Sequence, residues 1–266
     1  MDDTAGLFGH CRTPASVSGV IEDQVVPRLV DSHRLDATAG ALDDCKHPEA
    51  IRTLAEMVVD HDLAKASSLI AARRADGATL ESVIIDYLTP AARYLGSLWD
   101  DDRIDFTTVT IAVGRLQQIH HGLRDEFEQD APVIINSRRV LLAPAPGDQH
   151  TFGISIVGSF LRRDGWDVAG GPATTEAALL ERVRREHFDL IGFGVGYERW
   201  AETLGTTIDR LRNESLNPDL AVLIGGALPM QQPTLGDHVG ADAVVSEGHL
   251  ISSVAQSVIS ARDDRG

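Results

Sequence analysis

The chain has 266 residues, 43% of them hydrophobic and 24% charged, and a formal net charge of −16. That length suits two modest domains or one large one, and the composition is that of a folded globular protein. The acidic balance argues against direct binding to nucleic acid or anionic lipid, and a basic protein partner fits it better. No apolar run approaches the length of a membrane span, and Met-Asp-Asp-Thr at the start is no signal peptide. Cys11 and Cys45 have neither C-x-x-C nor zinc-like spacing, so a reducing cytoplasm is the expected location.

Residues 1–16 carry Gly, Pro, Ser and Thr without periodicity and are expected to be a disordered leader. From Val17 to His33, Val20, Ile21, Val25, Val26, Leu29 and Val30 recur at helical steps, with Pro27 expected to kink the helix. Helical spacing returns over Glu49–Val59, His61–Ala75, Leu80–Leu98 and Asp105–Glu128, with Thr79 as a cap for the third of these. A helical bundle over residues 17–128 buries those stripes. Glu128 to Ser137 is the expected linker. Beyond it, short apolar strands alternate with amphipathic helices. The strands are Arg139–Ala143, Trp166–Ala169, Leu190–Val195, Ala221–Ile224 and Ala243–Val245. The helices are Phe152–Arg163, Thr175–Glu186, Trp200–Asn213 and His249–Ala261. The expected fold class is therefore α plus α/β. A helical bundle cap precedes a flavodoxin-like, five-stranded parallel sheet over residues 138–266.

One loop carries the strongest chemical signal. Directly after the first strand come Asp148, His150 and Gly153, where a helix begins. Open α/β sheets bind ligands beyond the carboxyl ends of their strands. A histidine that ligates a metal needs one free ring nitrogen and a partner, often a carboxylate, to orient the other. The plainer reading is a loop histidine beside a helix-capping aspartate. Glycines gather at the same edge: Gly192, Gly194 and Gly196 after the third strand, Gly225 and Gly226 after the fourth, Gly248 after the fifth. Each pair alone is explained by turn chemistry.

The D-x-H-x-x-G pattern resembles the lower-ligand motif of cobalamin-binding domains. The resemblance implies that His150 is the metal ligand, coordinating cobalt, with Asp148 orienting it. It also implies that loops at Gly153, Gly194, Gly196, Gly225, Gly226 and Gly248 hold the nucleotide tail. The helical half sharpens the likeness. Tyr94 to Trp99, Asp105 to Thr110 and Gly114 to Gln117, with Pro27-Arg28-Leu29 upstream, resemble the AerR/PpaA-type cobalamin-binding antirepressors of photosynthesis genes and a haem-binding relative of theirs. Trp99 would then cover the upper face of the corrin, though a core aromatic closing a helix reads equally well.

Two departures limit the resemblance. The family commonly has S-x-L at the third-strand end, where this chain has Gly194-Val195-Gly196, so a hydroxyl is lost and space is expected in its place. The Glu-His pair of adenosylcobalamin photoreceptors is replaced by Val109 and Thr110. Hydroxo- or aquocobalamin is therefore favoured over the adenosyl form, with haem as the alternative cofactor. His10, His61, His120 and His121 are candidate upper ligands, each more often a surface residue. Arg115 could meet a corrin side chain or a carboxylate of the bundle. The implied function is a light-responsive, non-enzymatic antirepressor that contacts a CrtJ/PpsR-type repressor. A corrinoid methyl carrier is the rival from another class. The chain shows no nucleophile with its base and no zinc-ligand set.

Overall fold

The computed structural model describes residues 42–129, 138–170 and 175–263. The leader, the expected helix with Pro27, His10, Cys11 and most of the expected linker lie outside them. Helix α1 (Pro48–Val59) opens with proline at its first position, where no N–H is needed. Helix α2 (Leu63–Ala75) is capped by Asp62, which accepts the Lys65 N–H at 3.0 Å. Thr79 caps α3 (Leu80–Val83) by accepting from the Ser82 N–H at 3.0 Å. The chain runs on through a π-helical turn, Ile84–Leu88, into α4 (Thr89–Asp100). Pro90 has no N–H to offer the preceding turn, and the Thr89 N–H reaches the Ile84 carbonyl instead, which widens the register. Helix α5 (Phe106–Gln129) is capped by Asp105, which takes the Thr108 N–H at 2.7 Å. It contains Glu128, so the expected linker starts later than the composition suggested.

The second half holds β1 (Arg139–Pro144), α6 (Phe152–Arg163), β2 (Asp167–Ala169), α7 (Glu176–Arg185) and β3 (Leu190–Gly194). After these come α8 (Glu198–Ala201), α9 (Leu204–Glu214), β4 (Ala221–Gly225), α10 (Ala227–Gln231), α11 (Leu235–Val239) and β5 (Ala243–Val245). A 3-10 turn (Gly248–Leu250) then leads into α12 (Ile251–Asp263). The strand order is β2-β1-β3-β4-β5, all parallel, as expected for a flavodoxin-like sheet. One helical expectation is corrected and two short helices are added. Trp200–Asn213 is two helices, because the turn at 202–203 re-aims the chain, and the short helices α10 and α11 had gone unread.

Alternate strand residues face opposite sides of the sheet, so each strand contributes to two cores. Val140, Leu142, Leu190 and Leu223 join a core shared with α1, α4, α5, α6 and α12. Leu141, Ala143, Ile191, Phe193, Val222 and Ile224 pack on the other side with α7, α9 and α11. The first core runs unbroken from the bundle onto the sheet. At that junction Phe127 of α5 meets Phe160 of α6 edge to face at 5.0 Å. Arg163 lies over both rings, and its guanidinium reaches Glu81 of α3 at 2.6 Å.

Asp242 ties down the last strand. It accepts the Val222 N–H at 2.7 Å, Arg212 at 2.8 Å and Arg262 at 2.5 Å. Burial opposes its ionisation, but the bonds from Arg262, Val222 and Arg212 outweigh it and hold the carboxyl below its usual range. A carboxylate whose folded pKa is depressed stabilises the fold above its unfolded pKa, and this is lost as pH falls through the folded value. Asp242→Asn should cost about 1–2 kcal/mol in urea unfolding at pH 7, and its stability should fall less steeply than wild type below pH 4.

Candidate functional site

The register aligns Pro144 of β1 with Gly194 of β3, Gly194 with Gly225 of β4, and Gly225 with Val245 of β5. Four strands therefore end in one row. The chain leaving β1 turns into α6 on the bundle side, while the chain leaving β3 turns into α8 and α9 on the other. The two loops diverge and leave a crevice between them, the place where open sheets bind ligands.

The β1 loop is built around Asp148, which has no exposed surface. Its backbone N–H closes a turn onto the Ala145 carbonyl at 2.8 Å, and the Ala145 N–H reaches the Gly194 carbonyl at 2.8 Å. One carboxylate oxygen accepts the His150 backbone N–H at 3.0 Å and also the His150 Nδ1–H. The other accepts the Gly196 N–H from the β3 loop at 2.8 Å. A backbone amide of Gly196 thus meets the carboxylate. A side chain at Gly196 would begin 3.0 Å from both Asp148 and the imidazole, so only glycine allows that approach. Burial disfavours the Asp148 anion, yet the donors from His150 and Gly196 hold its carboxyl below the usual range.

His150 is left with its side chain 59% exposed, and Nε2 forms no hydrogen bond among the described residues. An imidazole held at Nδ1 by a buried carboxylate and open at Nε2 is fitted to ligate a metal. Among the described residues no group of three or more His, Cys, Asp and Glu could enclose a metal ion. The donor set at this edge is thus one oriented imidazole with an open nitrogen.

Helices α4 and α5 reach the same edge of the sheet. Gln117 of α5 donates to the Thr151 hydroxyl at 3.2 Å, and Arg93 of α4 approaches the Met230 sulfur at 3.7 Å. Burial first, then the carboxylate of Asp100 at the end of α4, pushes the Tyr197 phenol up to about 12. Gly96 and Gly114, on α4 and α5, have open space where a side chain would stand. Trp99 is half-buried and meets Phe106 edge to face at 6.1 Å.

Other expectations fared unevenly. The space foreseen at Gly194 is taken by Ile154, whose side chain stands 3.0 Å from where a Cβ would be. Gly226 has φ 115°, and a Cβ there would lie 2.6 Å from the Val195 carbonyl, so its need for glycine comes from the neighbouring loop. Gly225 similarly faces the Val245 carbonyl and Gly248 the Val157 side chain, while Gly153 looks into open space. Among the described residues Arg115 meets no carboxylate; it donates to the Val58 carbonyl at 2.6 Å. His61 and His121 are exposed, but His120 is 3% exposed and so is no surface residue. The sequence reading missed Tyr197, whose ring meets His150 at 5.2 Å. Two aromatics and an arginine directly after the third strand, Tyr197-Glu198-Arg199-Trp200, were the signal available.

A B12-binding domain model matches residues 138–253. An uncharacterized 20.5 kDa protein from the bchF–crtJ intergenic region of Rhodobacter capsulatus is 34% identical over 182 residues, which cover 68% of this chain and 93% of that protein. Among solved structures, the Methanosarcina barkeri monomethylamine corrinoid protein superposes with a TM-score of 0.63. It is 18% identical and covers 81% of this chain and 99% of its own, a likeness that speaks for the fold alone. With its helical region ahead of the five-stranded parallel sheet, the chain belongs to the AerR/PpaA-type family of B12-binding-domain proteins.

Proposed function

We propose that this chain is a cobalamin-binding, light-responsive regulator that relieves DNA binding by a CrtJ/PpsR-type repressor of photosystem genes through protein–protein contact. The observation that carries the cofactor assignment is the His150 imidazole, held at Nδ1 by buried Asp148 and open at Nε2 in the crevice between β1 and β3. The B12-binding domain match and a relative from the bchF–crtJ region support it. Cobalamin, when bound, would supply a light-sensitive cobalt centre. His150 would hold the cobalt, with Asp148 and the Gly196 amide keeping the imidazole oriented. The loops at Gly153, Gly194, Gly225, Gly226 and Gly248 would border the tail, and entry beside Gly194 requires Ile154 to move. Trp99, at the end of α4, would cover the bound group from the helical side, and the helical region would carry the surface that meets the partner. The acidic surface suits a basic DNA-binding partner. The role is regulatory and not catalytic, and the location cytoplasmic. Among the described residues no helix is long and apolar enough to cross a membrane.

Hydroxocobalamin added to the purified chain in darkness should co-elute with it and show a shifted spectrum, which illumination then changes. A Soret band with added haem and no retained cobalamin would sink the cofactor assignment. The loaded chain should also release the repressor from its DNA, and an undisturbed repressor–DNA complex would defeat the antirepressor role. Methyl transfer to a partner methyltransferase would favour a corrinoid carrier.

A further inference from the structure

The Asp148 carboxylate restrains His150 at one nitrogen only. A hydrogen bond to Nδ1 holds that atom but lets the ring swing about the bond, and an imidazole 59% exposed has little else against it. Tyr197 supplies the second restraint. Its ring centroid is 5.2 Å from that of His150, with the planes 63° apart, an edge-to-face arrangement that limits the swing.

Tyr197 is itself held in place. It follows Gly196, whose amide is bonded to Asp148, so the contact and the hydrogen bonds close one small ring of interactions. The Arg199 guanidinium lies 5.3 Å from the Tyr197 centroid and 4.9 Å from that of Trp200, joining the two aromatics. The Trp200 backbone N–H bonds to the Tyr197 carbonyl at 3.1 Å, and the indole lies against Gly147 of the β1 loop. The segment Tyr197–Trp200 therefore clamps the His150 loop from the β3 side.

We infer that Tyr197 is a positioning residue for His150: its ring, not its hydroxyl, sets the plane of the imidazole and the direction of Nε2. The inference rests on the cofactor assignment above for its consequence in binding, but the restraint is a property of the free protein. The Tyr197 ring carries the effect, so phenylalanine should replace it and leucine should not.

The test uses the full chain. In the free protein, NMR should show cross-relaxation between the His150 and Tyr197 rings, with the His150 signals assigned by their loss in H150A. The His150 ring signals should move in Tyr197→Leu and stay in place in Tyr197→Phe. Hydroxocobalamin should bind Tyr197→Leu about three- to tenfold more weakly, with a changed spectrum, and Tyr197→Phe like wild type. Circular dichroism melting checks that each variant folds. If Tyr197→Leu does not fold, the wild-type ring-to-ring contact decides, and its absence overturns the inference. Unmoved His150 signals together with wild-type affinity in a folded Tyr197→Leu chain would also overturn it. Failure of the wild-type chain to bind hydroxocobalamin would sink the cofactor assignment alone, and the free-protein signals would still decide the role of Tyr197.

Discussion

Alanine at His150 should remove the nitrogen-ligated spectrum of added hydroxocobalamin, and alanine at Asp148 should weaken binding by about 10–100-fold. The two variants should differ in what else they lose. The His150 side chain is largely exposed, and its one hydrogen bond among the described residues goes to Asp148. Its removal takes one donor from a buried carboxylate that keeps the Gly196 and His150 amides, so the unfolding midpoint should fall less than in the Asp148 variant. Asp148 is fully buried and accepts from the Gly196 and His150 amides as well as the ring. Taking it away leaves the Gly196 N–H without its acceptor at the centre of the crevice, which should cost about 1–3 kcal/mol of stability. Asp148→Asn should fall between, because an amide still accepts on one side but sets N–H against N–H on the other. Affinity from spectral titration and stability from urea unfolding separate the two contributions. A His150→Ala chain with wild-type spectrum and affinity would refute the ligand assignment.

The α/β half was legible because its strands are short, apolar and separated by amphipathic helices, and register then follows from packing both faces of each strand. Bounds went astray where one side of the pattern fails. Helices α10 and α11 are five residues each, too short to show a period. The π-turn before α4 depends on one missing N–H at Pro90, which leaves the apolar spacing untouched. At the site, D-x-H-x-x-G named the imidazole and its carboxylate, which lie two residues apart. The acceptor geometry that completes them comes from Gly196, 48 residues on, and no local pattern announces it. Ile154 at Gly194 was missed for the same reason: a side chain on α6 meets a strand end distant in sequence. His120 shows the opposite failure. A histidine next to a second histidine on a long helix suggested a wet face, but α6 packs over it.

That buried histidine makes stability depend on acid. His120 packs edge to face on Phe152 at 6.3 Å, and its Nε2 has no hydrogen-bond partner among the described residues. Burial, reinforced by the charges of Arg124, His121 and Arg162, lowers its pKa from 6.5 to about 4. Between those values the unfolded chain binds a proton that the folded chain refuses, so stability rises with pH across the window. The stabilisation is present above about pH 6.5 and lost as pH falls toward 4, up to about 3 kcal/mol in all and about 2 kcal/mol between pH 7 and pH 5. In His120→Leu that share of the pH dependence should vanish. Leucine also removes the unpartnered nitrogen, so the variant should equal or exceed wild type at pH 7. Urea unfolding of both chains at pH 7 and pH 5 measures the difference, and an unchanged pH slope in the leucine variant would refute the assignment. The location gives the number a structural meaning. His120 lies on α5, one turn beyond Gln117, and Phe152 begins the helix that follows His150. Protonating it sets a charge into the seam joining the helical region to the β1 loop, so acid should loosen that seam first. Hydrogen exchange at pH 5 should then rise earlier in α5 and α6 than in the sheet strands, and His120→Leu should abolish that order.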